Sequence, residues 1–205
     1  TVAYVKPKKP TDKLMIYLVG GGMLKYPKPA QIKEVVRLAK ECEVNAMVPY
    51  YPILFTGNTL PDVYEMLYAL YKKVLKKYKP ENVCFAGGSS GGNLALGLVS
   101  YINWKAEGIP VPGKVYAGSP GTLHLTDAER EYAAKLEKTD VIMSVKAIQE
   151  IWSGMTGDRE VPGFMKYLQV GDYTGLKDVY LSFGGDEVFR SEEHTSELQS
   201  LAYLV

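Results

Sequence analysis

The 205 residues suffice for one α/β domain with a sizeable core, and 46% hydrophobic with 23% charged residues place the chain among ordinary globular proteins rather than disordered ones. A formal charge of +1 gives no electrostatic reason to expect nucleic acid or an anionic membrane as partner. No stretch is long enough to span a bilayer, no signal peptide opens the chain, and no metal or dinucleotide spacing occurs, so the expectation is a cytoplasmic protein with packed free thiols at Cys42 and Cys84 and no cofactor.

In chain order, residues 2–5 read as a short strand, followed by a Pro/Lys turn. The strand over residues 14–19 runs into Gly20-Gly21-Gly22, a triple glycine that exposes backbone amides to a ligand at close range. Ile32, Val35, Val36, Ala39 and Cys42 recur at helical spacing, and the apolar run 44–48 ends at Pro49 as a strand would. Leu60, Val63, Leu67, Leu70, Val74 and Tyr78 form one stripe of a helix introduced by Pro61, whose opposite face carries Lys72, Lys73, Lys76 and Lys77 as a solvated surface. Tyrosines at Tyr50-Tyr51 and between Tyr64 and Tyr71 fit core positions at these spacings, with pocket lining as the other use open to them.

The apolar strand 83–86 leads into Gly87-Gly88-Ser89-Ser90-Gly91, with a helix opening at Gly92. A serine forced into a strand-to-helix turn needs neighbours without side chains two positions before and after it, which Gly87 and Gly91 supply. The turn lifts the hydroxyl clear of the sheet and aims the next amide, that of Ser90, and the helix N-terminus at a developing oxyanion. Beyond it, residues 94–102 read as a buried helix, 111–117 as a strand ending in Gly118-Ser119-Pro120, 127–137 and 144–152 as helices, and 179–183 as the last strand, before Gly184-Gly185-Asp186-Glu187. Alternating strands and helices predict a doubly wound, mainly parallel sheet, with the segments at Gly20, Ser89 and Asp186 gathered at the carboxyl ends of its strands.

Over roughly residues 13–189 the chain resembles the hormone-sensitive-lipase-like branch of the α/β-hydrolases, carboxylic ester hydrolases acting mostly on short acyl chains. The resemblance rests on Val19-Gly20-Gly21-Gly22, where the family has His-Gly-Gly-Gly, and on the pentapeptide around Ser89, where it has Gly-Asp-Ser-Ala-Gly. Tyr50-Tyr51-Pro52 and Ser119-Pro120 add to it. It implies Ser89 as nucleophile, Gly21, Gly22 and Ser90 as oxyanion donors, and Glu187 as the triad acid, with Asp186 as the other choice if the loop shifts by one residue. Val19 stands where the family's histidine braces the glycine loop, and Gly88 where it carries an aspartate beside the nucleophile.

The base is missing. His124 precedes the acid in chain order, and His194 lies only seven residues past Glu187, too near for an intervening helix and strand. His194 also falls in residues 190–200, a run that resembles the translation of a short-read sequencing adapter. The expected organisation is therefore a hydrolase domain over residues 1–189, truncated before the last helix and strand, and an artefactual tail over 190–205. The expected activity of the parent protein is serine ester hydrolysis of small-molecule short-chain acyl or acetyl esters, with a non-catalytic hydrolase-fold binding protein as the alternative. The chain as written is expected to be nearly inactive.

Overall fold

The computed structural model describes residues 1–157 and 159–190. A six-stranded sheet runs through it, built from β1 (Val2–Val5), β2 (Leu14–Leu18), β3 (Asn45–Pro49), β4 (Val83–Gly88), β5 (Lys114–Gly118) and β6 (Asp178–Ser182), in the order β1-β3-β2-β4-β5-β6. All neighbours are parallel except β1 against β3, where Val2 faces Pro49 and Val5 faces Ala46. The helices are α1 (Pro29–Glu41), α2 (Leu60–Val74), α3 (Ser90–Lys105), α4 (Asp127–Leu136) and α5 (Val145–Thr156). This is the doubly wound, mainly parallel architecture that the alternation of elements predicts.

The period of two along β2 divides the core. Leu14, Ile16 and Leu18 face one way and pack with α2 and α3, while Met15 and Val19 face the other and pack with Val35 and Ala39 of α1. The α2 stripe buries Val63, Tyr64, Leu67, Tyr68 and Tyr71. Those tyrosines are core residues: Tyr64 stacks on Tyr101 of α3 at 5.3 Å, and Tyr71 meets Phe85 of β4 edge-on at 4.9 Å. A capping box starts α2, with the Thr59 amide donating to Asp62 Oδ2 at 2.7 Å.

Several boundaries differ from the sequence reading, among them the end of α5, which runs on from Trp152 to Thr156, and three that bear on the site or the cysteines. Helix α3 opens at Ser90 rather than Gly92, so the turn consumes one residue, Ser89, and no more. Strand β5 begins at Lys114 because Pro112 has no amide to give a ladder. Helix α1 stops at Glu41, and Glu43 turns the chain with φ 52°. Cys42 is therefore exposed at the helix end, not packed, whereas Cys84 on β4 is half-buried and its thiol is pushed up to about 11 by burial.

Candidate active site

Strand β4 and helix α3 meet at Ser89, which has φ 54° and ψ −126°. An L-residue reaches that conformation only when its surroundings hold it there. Here both of its backbone groups are pinned: the amide donates to the Gly118 carbonyl at 2.8 Å, and the carbonyl accepts from the amides of Asn93 at 3.0 Å and Gly121 at 3.2 Å. A Cβ on Gly91 would overlap the Leu18 carbonyl, and one on Gly87 would overlap the backbone of Gly91, so β2, β4 and α3 close up only through glycine. The side chain of Ser89 is exposed, while the helix behind it is buried from Ser90 to Ile102.

The glycine loop after β2 is held by its carbonyls. Val19 O accepts a hydrogen bond from the Tyr51 hydroxyl, Gly20 O from Gln31 Nε2 at 3.5 Å, Gly21 O from the Leu24 amide at 3.1 Å and Met23 O from the Leu54 amide at 3.1 Å. Gly21 and Gly22 take φ 133° and 63°. With the carbonyls tied back, the amides of Gly21, Gly22 and Ser90 donate to no acceptor among the described residues. Three unengaged N–H groups beside an exposed hydroxyl at a helix N-terminus suit a developing negative charge.

Tyr51 is the residue that sequence reasoning did not single out for this loop. Burial raises the pKa of its phenol above the ordinary range, and the neighbouring Ser90 hydroxyl partly offsets this, so the group stays a proton donor. Its position after β3, opposite the end of β2, follows from the pairing of those two strands and is not visible in the local sequence.

The loop after β6 brings Glu187 inward and leaves Asp186 exposed. Glu187 Oε1 accepts from Ser119 Oγ at 2.8 Å and from the Gly184 amide at 2.7 Å. Its Oε2 is buried and has no hydrogen-bond partner among the described residues. Asp186 makes no side-chain hydrogen bond among the described residues. His124 is buried, with Nε2 2.9 Å from the Val188 carbonyl, and lines neither cavity that meets Ser89. His194, like all of the expected tail except Arg190, lies outside the described residues.

Two cavities meet at Ser89 and Gly21. One, of about 300 Å³, is walled by Leu24, Ile142, Met143, Phe189 and the Ile148, Ile151, Trp152, Met155 face of α5. The other, of about 540 Å³, is bordered by Tyr17, Gln31, Glu34, Gly118 and Ser119. Among the described residues no group of three or more His, Cys, Asp or Glu is placed to hold a metal ion. None of their helices is long and apolar enough to cross a membrane.

Residues 15–199 match the model of the family described as the alpha/beta hydrolase fold. The chain belongs to the alpha/beta hydrolase fold family. Among curated proteins, a triacylglycerol lipase of Mycobacterium tuberculosis is 27% identical over 148 residues, which are 70% of this chain and 33% of that one, so the chain spans a third of that hydrolase's length. Among solved structures, a candidate esterase from Staphylococcus aureus superposes with TM-score 0.80 at 23% identity, over 94% of this chain and 64% of that one. An esterase from the bacterial hormone-sensitive lipase family gives TM-score 0.79 at 19% identity, over 95% and 63%. At those identities the structural likeness establishes the hydrolase fold.

Proposed function

We propose that the protein is a serine carboxylic ester hydrolase that works through an acyl-enzyme on Ser89. The observation that carries this reading is the conformation of Ser89, exposed and pinned at φ 54° beside three amides that donate to no acceptor among the described residues. Strain and unused donors cost stability, and a reaction that develops negative charge at that point gives both a purpose. Residues 1–189 serve as one hydrolase domain in this reading, and the two unpaired cysteines fit a reducing, cytoplasmic setting.

In the proposed reaction, Ser89 Oγ attacks the ester carbonyl while an imidazole takes its proton. The carbonyl oxygen gathers negative charge against the amides of Gly21, Gly22 and Ser90. The imidazolium then protonates the departing alcohol oxygen, and an activated water releases the acid. Glu187 is the favoured acid over Asp186, because its Oε2 is buried and in need of a donor, as the second nitrogen of such an imidazole would be. The position of His124 argues against it as the base, so the imidazole comes from outside the described residues.

A defined rate follows. Removing a triad base costs about a millionfold in turnover and leaves about 10³ to 10⁴ over water. The 205-residue chain is expected to hydrolyse p-nitrophenyl butyrate slowly, and added imidazole is expected to raise the rate saturably in a way that Ser89→Ala removes. A fast rate without imidazole, lost in His194→Ala, would assign the base to the segment beyond residue 190. No rate dependent on Ser89 under either condition would favour the second reading, a hydrolase-fold binding protein, which the lack of an imidazole at Ser89 among the described residues supports.

A further inference from the structure

We propose that the edge of the sheet opposite Ser89 docks on an anionic phospholipid bilayer through two lysine segments that the fold joins. Strand β1 runs antiparallel to β3, so the chain leaves Val5 at the edge where β2, β3 and β4 begin. Helix α2 ends toward that same edge, shortly before β4 starts at Val83. The Tyr4 and Tyr78 hydroxyls hydrogen-bond at 2.7 Å and fasten one segment to the other, 74 residues apart in sequence. Lys6 Nζ lies 6.0 Å from the centre of the Tyr4 ring, and Lys77 and Lys79 flank Tyr78. What reads along α2 as the solvated face of one helix is thus half of a larger basic surface.

Residues 6–12 and 73–82 hold seven lysines and two acids, Asp12 and Glu81. Lys9 is paired with Glu43 at 3.6 Å. The other six, Lys6, Lys8, Lys73, Lys76, Lys77 and Lys79, are exposed and have no ion-pair partner among the described residues. The total charge of +1 conceals this surface, because acids elsewhere in the chain balance it. A cluster of this size and sign is drawn to a layer of negative headgroups. Lysine suits a fluid layer, since each ammonium is a point charge on a flexible stem, and neither segment holds an arginine, whose rigid fork favours nucleic-acid phosphates. Tyr4 is 42% exposed and Trp104 54%. Trp104 borders the same surface: Lys105 Nζ lies 6.0 Å from its ring and 5.9 Å from that of Tyr68, which Lys72 Nζ also covers at 4.8 Å. Amphipathic rings of this kind settle at headgroup level. Docked in this way, the protein turns Ser89 toward water, so the surface anchors the chain and leaves its other end open.

The test is co-sedimentation of the 205-residue chain with sucrose-loaded vesicles, of phosphatidylcholine alone or with a third of phosphatidylserine. The chain is expected to pellet with the anionic vesicles only, at about 0.1 M salt where the screening length is about 10 Å, and to be released at about 1 M where it is about 3 Å. Each lysine near such a surface contributes about fivefold to partitioning, so the combined change Lys76→Gln, Lys77→Gln and Lys79→Gln is expected to weaken binding about a hundredfold. The same change at Lys25, Lys135 and Lys138, exposed and outside the two segments, is expected to leave binding unaltered. Surface substitutions of this kind cost little stability, so both variants fold. Equal pelleting with neutral vesicles, no pelleting with anionic ones, equal losses in the two variants, or tighter binding to duplex DNA than to the anionic vesicles at the same salt would each overturn the proposal. The readout needs no turnover, so failure of Ser89 as a nucleophile would leave it standing.

Discussion

Ser119 donates its hydroxyl to Oε1 of Glu187 at 2.8 Å and leaves Oε2 buried, without a partner among the described residues. One carboxylate oxygen is thus fixed by the end of β5 and by the Gly184 amide, and the other points into the protein with its hydrogen-bonding capacity unused. Leaving a charged acceptor unsatisfied is costly, and the cost is offset when a donor arrives.

This asymmetry separates two adjacent acids. In the hydrolysis supported by imidazole, Glu187→Gln is expected to lower the rate by about tenfold to a hundredfold, the worth of one hydrogen bond to a charged group, whereas Asp186→Asn leaves it within about twofold. Equal effects of the two substitutions, measured as initial rates at saturating imidazole, would remove Glu187 from the proposed relay.

Tyr51 holds the glycine loop through the Val19 carbonyl, at the position where the resembled family carries a histidine. Tyr51→Phe leaves that carbonyl buried and unpaired, which is expected to cost about 1–3 kcal/mol of stability in urea unfolding. The same change is expected to lower kcat with KM little altered, because the bond positions amides that act only on the charged oxygen. A loss in KM alone would argue for a packing role.

Asp140 ties the lip of the apolar cavity to the acid loop. Its Oδ1 accepts from the amides of Ile142 at 2.8 Å and Met143 at 2.9 Å, and its Oδ2 from the Val188 amide at 3.0 Å. Burial raises its pKa, but the three amides outweigh burial and hold the carboxyl below its ordinary value of 3.8. A lowered folded pKa stabilises the protein above the unfolded value, and the contribution is lost as pH falls through the folded one. Asp140→Asn is therefore expected to lower Tm at pH 7 and to make little difference once the pH lies well below 3.8. A difference in Tm that is constant with pH would contradict the role of the charge.

Gly91 is where close approach rather than φ dictates glycine. Gly91→Ala is expected to destabilise by about 1–3 kcal/mol, as overpacking does, and to displace Ser89 along with α3. Unfolding by urea checks the first effect and the rate dependent on Ser89 the second. An alanine variant of full stability and rate would show that the elbow can relax.

Much of the fold is legible in the sequence because apolar periodicity reports which face is buried. The stripe from Leu60 to Val74 commits to one face, the unbroken apolar run 14–19 fits a strand covered on both faces, and the glycines around Ser89 mark a turn that few other residues permit. Cys42 misleads for the same reason: it continues the helical spacing of Ala39 one residue past the helix end, where Glu43 turns the chain away. Asp186 and Glu187 are indistinguishable as neighbours, since what sets them apart is Ser119, far away in sequence and brought near by the pairing of β5 with β6. The α5 stripe reads as ordinary core, because a helix that walls a cavity and one that fills a core present the same spacing. Asp140 gives no local signal, as its partner at Val188 lies across the fold.

Ser89 as nucleophile is put to the test by peptide mapping after treatment of the 205-residue chain with an alkyl fluorophosphonate and excess imidazole. One adduct is expected, on the peptide that contains Ser89, and none in Ser89→Ala. A protein that stays unlabelled, or that is labelled equally well in Ser89→Ala, would contradict it.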